Sequence, residues 1–347
     1  MIKKPGILVT GGTGYIGSHT VVELIEQGYD VFVIDNLSNS HAEVIDSIEA
    51  ITGTRPGYGN IDLNNKSAVQ EFLRIHKVEA IIHFAAFKAV GESVDKPVEY
   101  YRNNLVSLLN LIELCKENNI KNFVFSSSCS VYGEPDYLPI DEFAAVKPAK
   151  SPYANTKKIG EDILRDTSLV NDLQVISLRY FNPVGAHPSA KIGEYPVGPP
   201  LNLFPIVTQT AIGKRAQMKV FGTDYNTPDG SCIRDYIHVV DLARAHVVAI
   251  ERMLNAKTKS KYELFNLGTW NGLSVLEIIK TFESVTGIKV NYECVPRRIG
   301  DVEKVYADTK YANTELGWKT THSLENMITS AWAWEQVLQK KSMATSK

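Results

Sequence analysis

The sequence predicts an α/β fold in which a Rossmann-type, doubly wound parallel sheet is joined to a smaller C-terminal α/β domain. Three observations predict it. Short, nearly continuous apolar runs alternate with amphipathic stretches through the first half of the chain. A glycine-rich turn follows the first of these runs, and the apolar rhythm changes after Phe181. At roughly 100 to 200 residues per domain, a chain of this length accommodates two domains or one large α/β unit.

Five short apolar runs are predicted to be buried strands, with helices filling the gaps between them. Strands that are covered on both faces need apolar residues at successive positions, whereas half-exposed strands alternate. Parallel strands joined by right-handed helical crossovers account for this pattern. Such a topology places a ligand at the carboxyl ends of the strands. The five runs are Ile7 to Val9, Val31 to Ile34, Ala80 to Phe84, Phe123 to Phe125 and Val175 to Leu178.

A glycine-rich turn connects the first strand to a helix that is predicted to begin near Tyr15. Gly11, Gly14 and Gly17 are spaced by three residues. Glycine permits a positive φ, lets the backbone approach a pyrophosphate and lets the helix pack closely on the strand, while the helix N-terminus offers free N–H groups. A glycine-rich turn alone is weak evidence, but its position between a strand and a helix predicts a dinucleotide site.

An acidic residue, Asp35, ends the second predicted strand, eighteen residues beyond Gly17. A carboxylate at this place bonds the adenosine ribose hydroxyls of a dinucleotide. Asn36 follows it instead of an arginine, so a ribose phosphate would meet a carboxylate without a compensating cation. The pattern therefore favours NAD over NADP; a plain strand-end cap is the alternative role for Asp35.

Ser151 and Pro152 are typical of a helix N-cap followed by proline at the first helical position. Tyr153 and Lys157 then fall four residues apart on one helix face. A tyrosine with a pKa of about 10 must lose roughly three pKa units to act as a base near neutrality, which is about 4 kcal/mol. One positive charge ~4 Å away supplies about that much at an effective dielectric constant of about 20. We therefore expect Lys157 to lower the pKa of Tyr153.

Three consecutive serines, Ser126, Ser127 and Ser128, end the fifth predicted strand, at the edge where the ligand crevice is expected. A hydroxyl there could pass a proton to Tyr153. Each pattern also has an ordinary explanation, since serines often form turns and a Tyr-x-x-x-Lys spacing often marks an amphipathic helix face. Their occurrence together favours a catalytic group.

Composition excludes several classes of protein. The 37 Lys and Arg residues and 39 Asp and Glu residues leave a formal net charge of −2, so no overall basic field is available for nucleic acid. Four widely spaced cysteines form no Cys-x-x-Cys pair and no metal-type group with histidine, which favours a reducing cytoplasm and no metal. No apolar run approaches the roughly 20 residues that span a bilayer, so we expect no membrane segment.

Five longer motifs resemble the extended short-chain dehydrogenase/reductases from about Ile7 to Trp318, and within that family the branch that epimerises UDP-hexoses at C4. They are TGGTGYIGSH, FSSSCSVYG, SPYANTKKIGE, LRYFNPVGAHP and RDYIHVVDLA. The resemblance implies an NAD cofactor and the catalytic residues Ser128, Tyr153 and Lys157. The full set of cofactor residues expected from the glycine turn and the resemblance is Gly11, Gly14, Tyr15, Ile16, Gly17, Asp35, Asn36, Asp62, Leu63, Phe84, Ala85, Lys88, Asn103, Ser128, Tyr153, Lys157 and Phe181.

A segment rich in proline and glycine, Pro183 to Pro205, predicts a long surface or lid loop. We expect residues 1–182, with returning elements at about 239–268, to form the NAD-binding domain, and residues 183–347 to form mainly the UDP-sugar-binding domain. The resemblance implies substrate contacts from residues of both domains, among which the arginines suit a diphosphate because their planar fork gives bidentate bonds. The substrate residues are Ser128, Tyr153, Asn182, Asn202, Leu203, Arg234, Arg298, Asp301 and Val305.

The resemblance implies that UDP-galactose and UDP-glucose are interconverted with a tightly bound NAD that is not consumed. Tyr153 would take the proton of the sugar 4-hydroxyl while C4 is transiently oxidised. The keto sugar would then rotate about its anchored diphosphate, and hydride return to the other face would invert C4. Val305 aligns with a position at which a large tyrosine excludes N-acetylated sugars, so UDP-N-acetylglucosamine and UDP-N-acetylgalactosamine are also expected substrates.

Several other activities share the fold or the first oxidation step. Sugar-nucleotide 4,6-dehydratases and UDP-glucuronate decarboxylases carry acids just after the catalytic hydroxyl residue, where this chain has Cys129 and Ser130, which argues against both. A UDP-glucuronate 4-epimerase, an ordinary alcohol dehydrogenase and a non-catalytic dinucleotide sensor remain alternatives. The family usually forms a homodimer through helices, and the candidate stretches are Pro97 to Asn118 and Tyr153 to Asp166, although packing on the sheet explains their periodicity equally well.

Overall fold

The computed structural model of the protein describes residues 4–298 and 301–345, which form strands and helices in alternation through the first half of the chain. The strands are β1 (Gly6–Thr10), β2 (Asp30–Asp35), β3 (Gly57–Asn60), β4 (Ala80–His83), β5 (Asn122–Ser128), β6 (Gln174–Tyr180), β7 (Asn182–Val184), β8 (Met218–Phe221), β9 (Ile233–His238), β10 (Tyr262–Leu267), β11 (Gly272–Ser274), β12 (Tyr292–Val295) and β13 (Lys304–Val305).

The helices occupy the gaps between these strands, as predicted. They are α1 (Tyr15–Glu26), α2 (Glu43–Thr52), α3 (Lys66–Ile75), α4 (Val90–Asp95), α5 (Pro97–Tyr101), α6 (Ser107–Glu117), α7 (Pro152–Val170), α8 (Leu203–Ala211), α9 (Val239–Leu254), α10 (Val275–Thr286) and α11 (Leu324–Thr345). A π-helical turn, Arg102–Val106, joins α5 to α6. The predicted cap of α7 is confirmed, because Ser151 Oγ accepts a hydrogen bond of 3.2 Å from Ala154 N and Pro152 is the first helical residue.

Seven strands form one sheet in the order β3-β2-β1-β4-β5-β6-β10, and every neighbouring pair is parallel. The predicted doubly wound parallel sheet is therefore confirmed. Ile7 and Val9 point into one core layer, whereas Leu8 points into the layer on the opposite face. Because helices cover both faces, successive positions of a strand are buried, and this is why the runs read as continuously apolar.

A smaller unit follows β6. In it β9 pairs with β7, β11 and β13, and β8 pairs with β12. Phe204, Phe282 and Ile328, from α8, α10 and α11, belong to one buried cluster there. Between these elements the chain returns to the large sheet, since β10 pairs with β6 and α9 packs on α1.

The strand order reverses between β1 and β4, because the chain runs outward through β2 and β3 before it returns to β4 on the other side of β1. A crevice forms at such a switch point, outside the carboxyl ends of the strands. The loop predicted over Pro183 to Pro205 is shorter than expected: Pro183 and Val184 belong to β7, and α8 begins at Leu203. Within the described residues, no helix is both long and apolar enough to cross a bilayer.

Candidate active site

A cleft of about 390 Å³ lies at the carboxyl ends of β1, β2, β4, β5 and β6, between the large sheet and the loop that precedes α8. All of the residues predicted to contact a dinucleotide contribute to its lining, together with Asn182 and Asn202 of the predicted substrate set. The cofactor residues in the lining are Gly11, Gly14, Tyr15, Ile16, Gly17, Asp35, Asn36, Asp62, Leu63, Phe84, Ala85, Lys88, Asn103, Ser128, Tyr153, Lys157 and Phe181.

The glycine turn between β1 and α1 is built so closely that side chains cannot be added to it. Gly11 has a φ of +71°, and a Cβ there would lie 2.8 Å from Ala85 N. A Cβ on Gly17 would lie 2.1 Å from the carbonyl oxygen of Gly11. Helix α1 therefore packs directly on the turn, and its N-terminal N–H groups face the cleft edge where Gly14 precedes it.

The carboxylate of Asp35 is buried at the end of β2 and already accepts three hydrogen bonds. The donors are Leu37 N at 2.9 Å, Ser40 Oγ at 3.0 Å and Thr13 N at 3.2 Å. Asp35 is thus both the strand-end cap considered as its alternative role and an acid that lines the cleft. Thr13 and Ser40, which orient it, were missed from the sequence because neither stands in a recognisable spacing.

Ser128, Tyr153 and Lys157 meet on one wall of the cleft, where the end of β5 faces the first turns of α7. Lys157 Nζ donates a hydrogen bond of 2.7 Å to the carbonyl oxygen of Ser126 and lies 6.0 Å from the centre of the Tyr153 ring. Ser128 Oγ accepts a hydrogen bond of 2.9 Å from Ser130 Oγ. The three predicted catalytic side chains are therefore brought together.

Burial has the largest effect on the pKa of Tyr153 in the protein alone. Burial raises the pKa of Tyr153 well above its ordinary value; the nearby Tyr180 raises it further, and the Ser128 hydroxyl opposes the rise. Burial also lowers the pKa of Lys157 to about 8, although the charge of Glu161 raises it.

A buried ion pair behind this wall was missed from the sequence. Glu161, one turn after Lys157 on α7, accepts two hydrogen bonds from Arg179 on β6, of 2.8 and 2.5 Å. It also accepts a hydrogen bond of 2.5 Å from Ser127 Oγ on β5. This network ties α7 to β5, which carries Ser126 and Ser128, and to β6, which carries Arg179. A Lys-x-x-x-Glu spacing was visible in the sequence, but its buried partner on another strand was not.

Four predicted substrate residues form a second group, outside the lining of the cleft. Asp301 pairs with Arg298 at 2.8 Å and with Arg234 at 3.9 Å. Val305 on β13 lies opposite Arg234 on β9. Phe221, missed from the sequence because a lone aromatic carries no signal, has its ring centre 5.3 Å from the Arg298 guanidinium.

One of the remaining predicted substrate residues, Asn202, contacts a largely buried acid, Glu194, that was also missed. Asn202 Nδ2 donates a hydrogen bond of 2.5 Å to Glu194 Oε1, and Lys88 Nζ lies 3.7 Å from the same oxygen. Burial raises the pKa of Glu194, and Lys88 opposes that rise. Leu203 packs into the core of the smaller unit and does not line the cleft.

The chain is similar to known proteins over nearly its whole length. Residues 8–331 match the sequence model of a family described as GDP-mannose 4,6 dehydratase. A UDP-glucose 4-epimerase of Yersinia enterocolitica is 47% identical over 95% of this chain and 97% of its own length. One of Bacillus subtilis is 49% identical over 95% of this chain and 96% of its own. The chain belongs to the UDP-glucose 4-epimerase family.

Solved structures of UDP-glucose 4-epimerases have the same fold. That of Stenotrophomonas maltophila, described with bound NAD and formylated UDP-arabinopyranose, has a TM-score of 0.94 at 43% identity and covers 97% of this chain and 99% of its own. That of Bifidobacterium longum, described in complex with NAD+ and UDP, has a TM-score of 0.91 at 43% identity and covers 96% and 98%. The resemblance stated from the motifs is therefore confirmed at the level of the UDP-glucose 4-epimerase family.

Proposed function

We propose that this chain interconverts UDP-galactose and UDP-glucose by transient oxidation at C4, with a tightly bound NAD that is regenerated in each cycle. The observation that carries the proposal is the meeting of Ser128, Tyr153 and Lys157 on the wall of a cleft whose floor is the glycine turn. Membership of the UDP-glucose 4-epimerase family, over 95% of the chain, supports it.

The cleft has the features that a dinucleotide needs. The glycine turn has no side chains at Gly11 and Gly17, where a Cβ atom would collide with neighbouring backbone, so its backbone is accessible to a ligand. A helix begins immediately after the turn. Asp35 stands at the end of β2, where an acid bonds ribose hydroxyls. We propose that these residues, carried by the large sheet, hold NAD, which when bound supplies a reversible hydride acceptor for C4.

Tyr153 is proposed to accept the proton of the 4-hydroxyl as C4 is oxidised to a ketone and to return it as C4 is reduced on the opposite face. Because burial raises the pKa of Tyr153 in the protein alone, the phenolate needs a positive charge or a proton route close by. Lys157 provides the charge and Ser128 the hydroxyl that passes the proton.

Inversion needs a firmly held UDP and a sugar that can turn. We propose that Arg234 and Arg298 bind the diphosphate and that Asp301 binds the uridine ribose, each of them exchanging its contact within the present group for one to substrate. Asn182 and Asn202 offer uncharged contacts at the cleft, and we assign few charged residues to the hexose itself.

The residues that follow Ser128 distinguish the proposed activity from its rivals. The matching family model is described as a dehydratase, but the positions where dehydratases and decarboxylases use acids are Cys129 and Ser130. Burial raises the pKa of the Cys129 thiol to about 12, so that it stays neutral and cannot replace a carboxylate. UDP-glucuronate 4-epimerase remains the second candidate because it needs no such acid.

The proposed substrate range includes UDP-N-acetylglucosamine and UDP-N-acetylgalactosamine. Val305 packs against the cluster that contains Phe181, a residue of the cleft lining, and lies opposite Arg234 in the sheet. It therefore stands between the proposed UDP anchor and the cleft, where a small side chain leaves room for an N-acetyl group.

The decisive experiment is incubation of the purified chain with UDP-galactose, without added NAD, followed by chromatography of the products. UDP-glucose is expected, and UDP-glucuronate and UDP-galacturonate serve as parallel substrates for the rival epimerase. An alcohol dehydrogenase would need added cofactor in proportion to product, and a non-catalytic sensor would leave UDP-galactose unchanged. Either of those two results would refute the proposal.

A homodimer is also proposed; of the two candidate stretches, Pro97 to Asn118 and Tyr153 to Asp166, the first and the preceding helix α4 carry several exposed apolar side chains. An apolar stripe is exposed along them, consisting of Val90, Val94, Val98, Val106 and Leu109. Apolar residues exposed in a continuous stripe are typical of an interface. Sedimentation is expected to give a dimer for the parent chain and a monomer for Val98→Glu; a monomeric parent chain would contradict it.

A further inference from the structure

A stacked pair of rings joins two segments on opposite sides of the cleft. The rings of His41 and Tyr195 have centroids 4.0 Å apart and planes inclined by 26°, and both residues line the cleft. His41 follows the loop that encloses Asp35, whereas Tyr195 belongs to the loop between β7 and α8. The contact therefore spans the part of the cleft in which Asp35 lies.

Tyr195 is held from behind by helix α11. Its ring packs edge-on against Trp334, with centroids 6.1 Å apart. Trp334 Nε1 donates a hydrogen bond of 2.9 Å to the carbonyl oxygen of Glu194, and a Cβ on Gly193 would lie 2.5 Å from the same indole. The backbone that carries Tyr195 is thus packed tightly on a buried tryptophan, and the Tyr195 ring is placed by it.

His41 is held on the other side by the same groups that orient Asp35. The preceding residue, Ser40, donates to Asp35 and bonds Thr13 Oγ1 at 2.7 Å. A second link crosses nearby, from Lys191 Nζ to the carbonyl oxygen of Ala50 on α2, at 2.8 Å. The loop before α8 is therefore joined at two points to the segment that follows β2, once at His41 and once at Ala50 in α2.

One atom of the pair lacks a partner. His41 Nε2 is buried, and among the described residues it has no hydrogen-bond partner. A buried polar atom without a partner carries a desolvation cost, which a hydrogen bond with a group in the cleft removes. His41 lines the cleft near Asp35, which is proposed to bind the adenosine ribose. The adenosine part of a bound dinucleotide is therefore the group that His41 Nε2 would meet.

We propose that His41 and Tyr195 are further cofactor-binding residues: the stack covers the adenosine end of bound NAD, His41 Nε2 hydrogen-bonds with it, and the stack must part before NAD leaves. The inference rests on NAD binding as proposed above. It assigns retention of the cofactor to a contact between the two loops, separate from the residues that take part in the reaction.

The test measures NAD release from the full-length, NAD-loaded chain. Protein is passed through desalting columns at timed intervals after dilution into cofactor-free buffer, and the NAD that remains is extracted and quantified.

Tyr195→Ala and His41→Ala are each expected to release NAD about tenfold faster, which corresponds to about 1.4 kcal/mol. Tyr195→Phe keeps the ring and is expected to stay within about twofold of the parent. Phe143→Ala, which removes an exposed ring outside the cleft lining, is the matched control and should release NAD at the parent rate.

The double variant shows whether His41 and Tyr195 act together through their stack or independently of each other. His41→Ala with Tyr195→Ala should release NAD no faster than His41→Ala alone, because His41→Ala already removes the stack and residues that act through one contact are not additive. Parent-like release from both alanine variants, or equal release from Tyr195→Phe and Tyr195→Ala, would overturn the inference. If Tyr195→Ala does not fold, His41→Ala carries the test alone, and a parent chain that holds no NAD refutes the proposed function together with the inference.

Discussion

The two halves of the site differ in how far the protein alone has prepared them. On the cofactor half, all of the expected residues line one cleft, and its surfaces are set by backbone: a glycine turn, a helix N-terminus and a strand-end carboxylate with three donors. On the substrate half, the charged residues satisfy one another, since Asp301 pairs with both Arg234 and Arg298. The first half is shaped by its backbone, and the second is occupied by its own charges.

This difference fits a cofactor that stays and a substrate that exchanges. A preformed site loses little free energy in ordering itself when a ligand binds, so a long-lived complex is favoured there. Where arginines must first give up a carboxylate, part of the gain from binding a diphosphate is spent in breaking that pair. Weaker net binding of the UDP-sugar would let the product leave after each cycle, while the arginines would still select ligands that carry a diphosphate.

The largest expected effect abolishes the reaction while NAD and the UDP-sugar still bind. Tyr153→Phe removes the hydroxyl that is proposed to take the proton of the sugar, and general-base catalysis contributes about 10²- to 10⁴-fold. We expect kcat for C4 inversion to fall by about 10³-fold, measured by chromatography of UDP-glucose formed from UDP-galactose. NAD content and the KM for UDP-galactose should change little, because the ring and its packing remain. Turnover at the parent rate would remove Tyr153 from the mechanism.

The next effect separates the two halves. Arg298→Met removes one charged partner proposed for the diphosphate, and a hydrogen bond to a charged group is worth about 1.5–3 kcal/mol. The KM for UDP-galactose should rise about 10- to 100-fold, while NAD stays bound as in the parent.

The neighbouring arginine provides the control for that variant. Arg297 pairs with Asp224 at 2.7 Å and stacks on Tyr225. Arg297→Met should leave the KM within about twofold, because a surface ion pair contributes little. Equal effects of the two substitutions would show that charge in the segment matters and that no specific clamp exists.

The cofactor half could be predicted because its signals are local. Gly11, Gly17 and the Ser151 cap each act within one turn of chain, and their spacing reports backbone geometry directly. Spacing also placed Tyr153 and Lys157 on one helix face. It could not say that the ammonium would bond the carbonyl of Ser126, because the acceptor lies on a strand about thirty residues away and side-chain direction depends on that packing.

The substrate half was harder because its contacts join distant segments. Arg234 and Asp301 come from different strands and loops, and a bare arginine is more often a surface ion pair, as Arg297 shows. Glu161 was missed for the same reason, because its partner Arg179 is on β6. Only the resemblance to a family singled out the arginines, and neither resemblance nor spacing indicated that they would pair with Asp301.

A smaller effect tests whether the charge of Glu161 influences the pKa of Lys157 and, through it, the pH dependence of the reaction. Lys157, with a pKa lowered to about 8 by burial, is cationic below that pH and neutral above it, so activity that needs the cation should fall as pH rises through about 8. Glu161 raises the pKa of Lys157. In Glu161→Gln the fall should therefore move to lower pH, by up to about one unit, in a profile of kcat against pH.

Two comparisons distinguish this from a structural role. Glu161→Asp keeps the charge and should restore the position of the alkaline fall even if the rate stays low. Ser127→Ala removes one hydrogen bond to Glu161 but no charge, and should leave the profile in place. A uniform loss of rate in Glu161→Gln, with the parent profile retained, would show that the ion pair with Arg179 only holds the fold.

The smallest expected effect concerns the substrate half alone and tests whether Val305 determines which UDP-sugars are accepted. Val305 packs against the cluster that contains Phe181 and lies opposite Arg234, and we propose that a larger side chain there fills space between the UDP anchor and the cleft. Val305→Tyr should lower kcat/KM for UDP-N-acetylglucosamine at least about tenfold relative to UDP-glucose, because added bulk excludes the larger sugar. Val305→Thr, of similar size, should keep the parent ratio. If the tyrosine variant turned over both sugars in the parent ratio, Val305 would be filling the packing of β13 and the choice of sugar would lie elsewhere in the cleft.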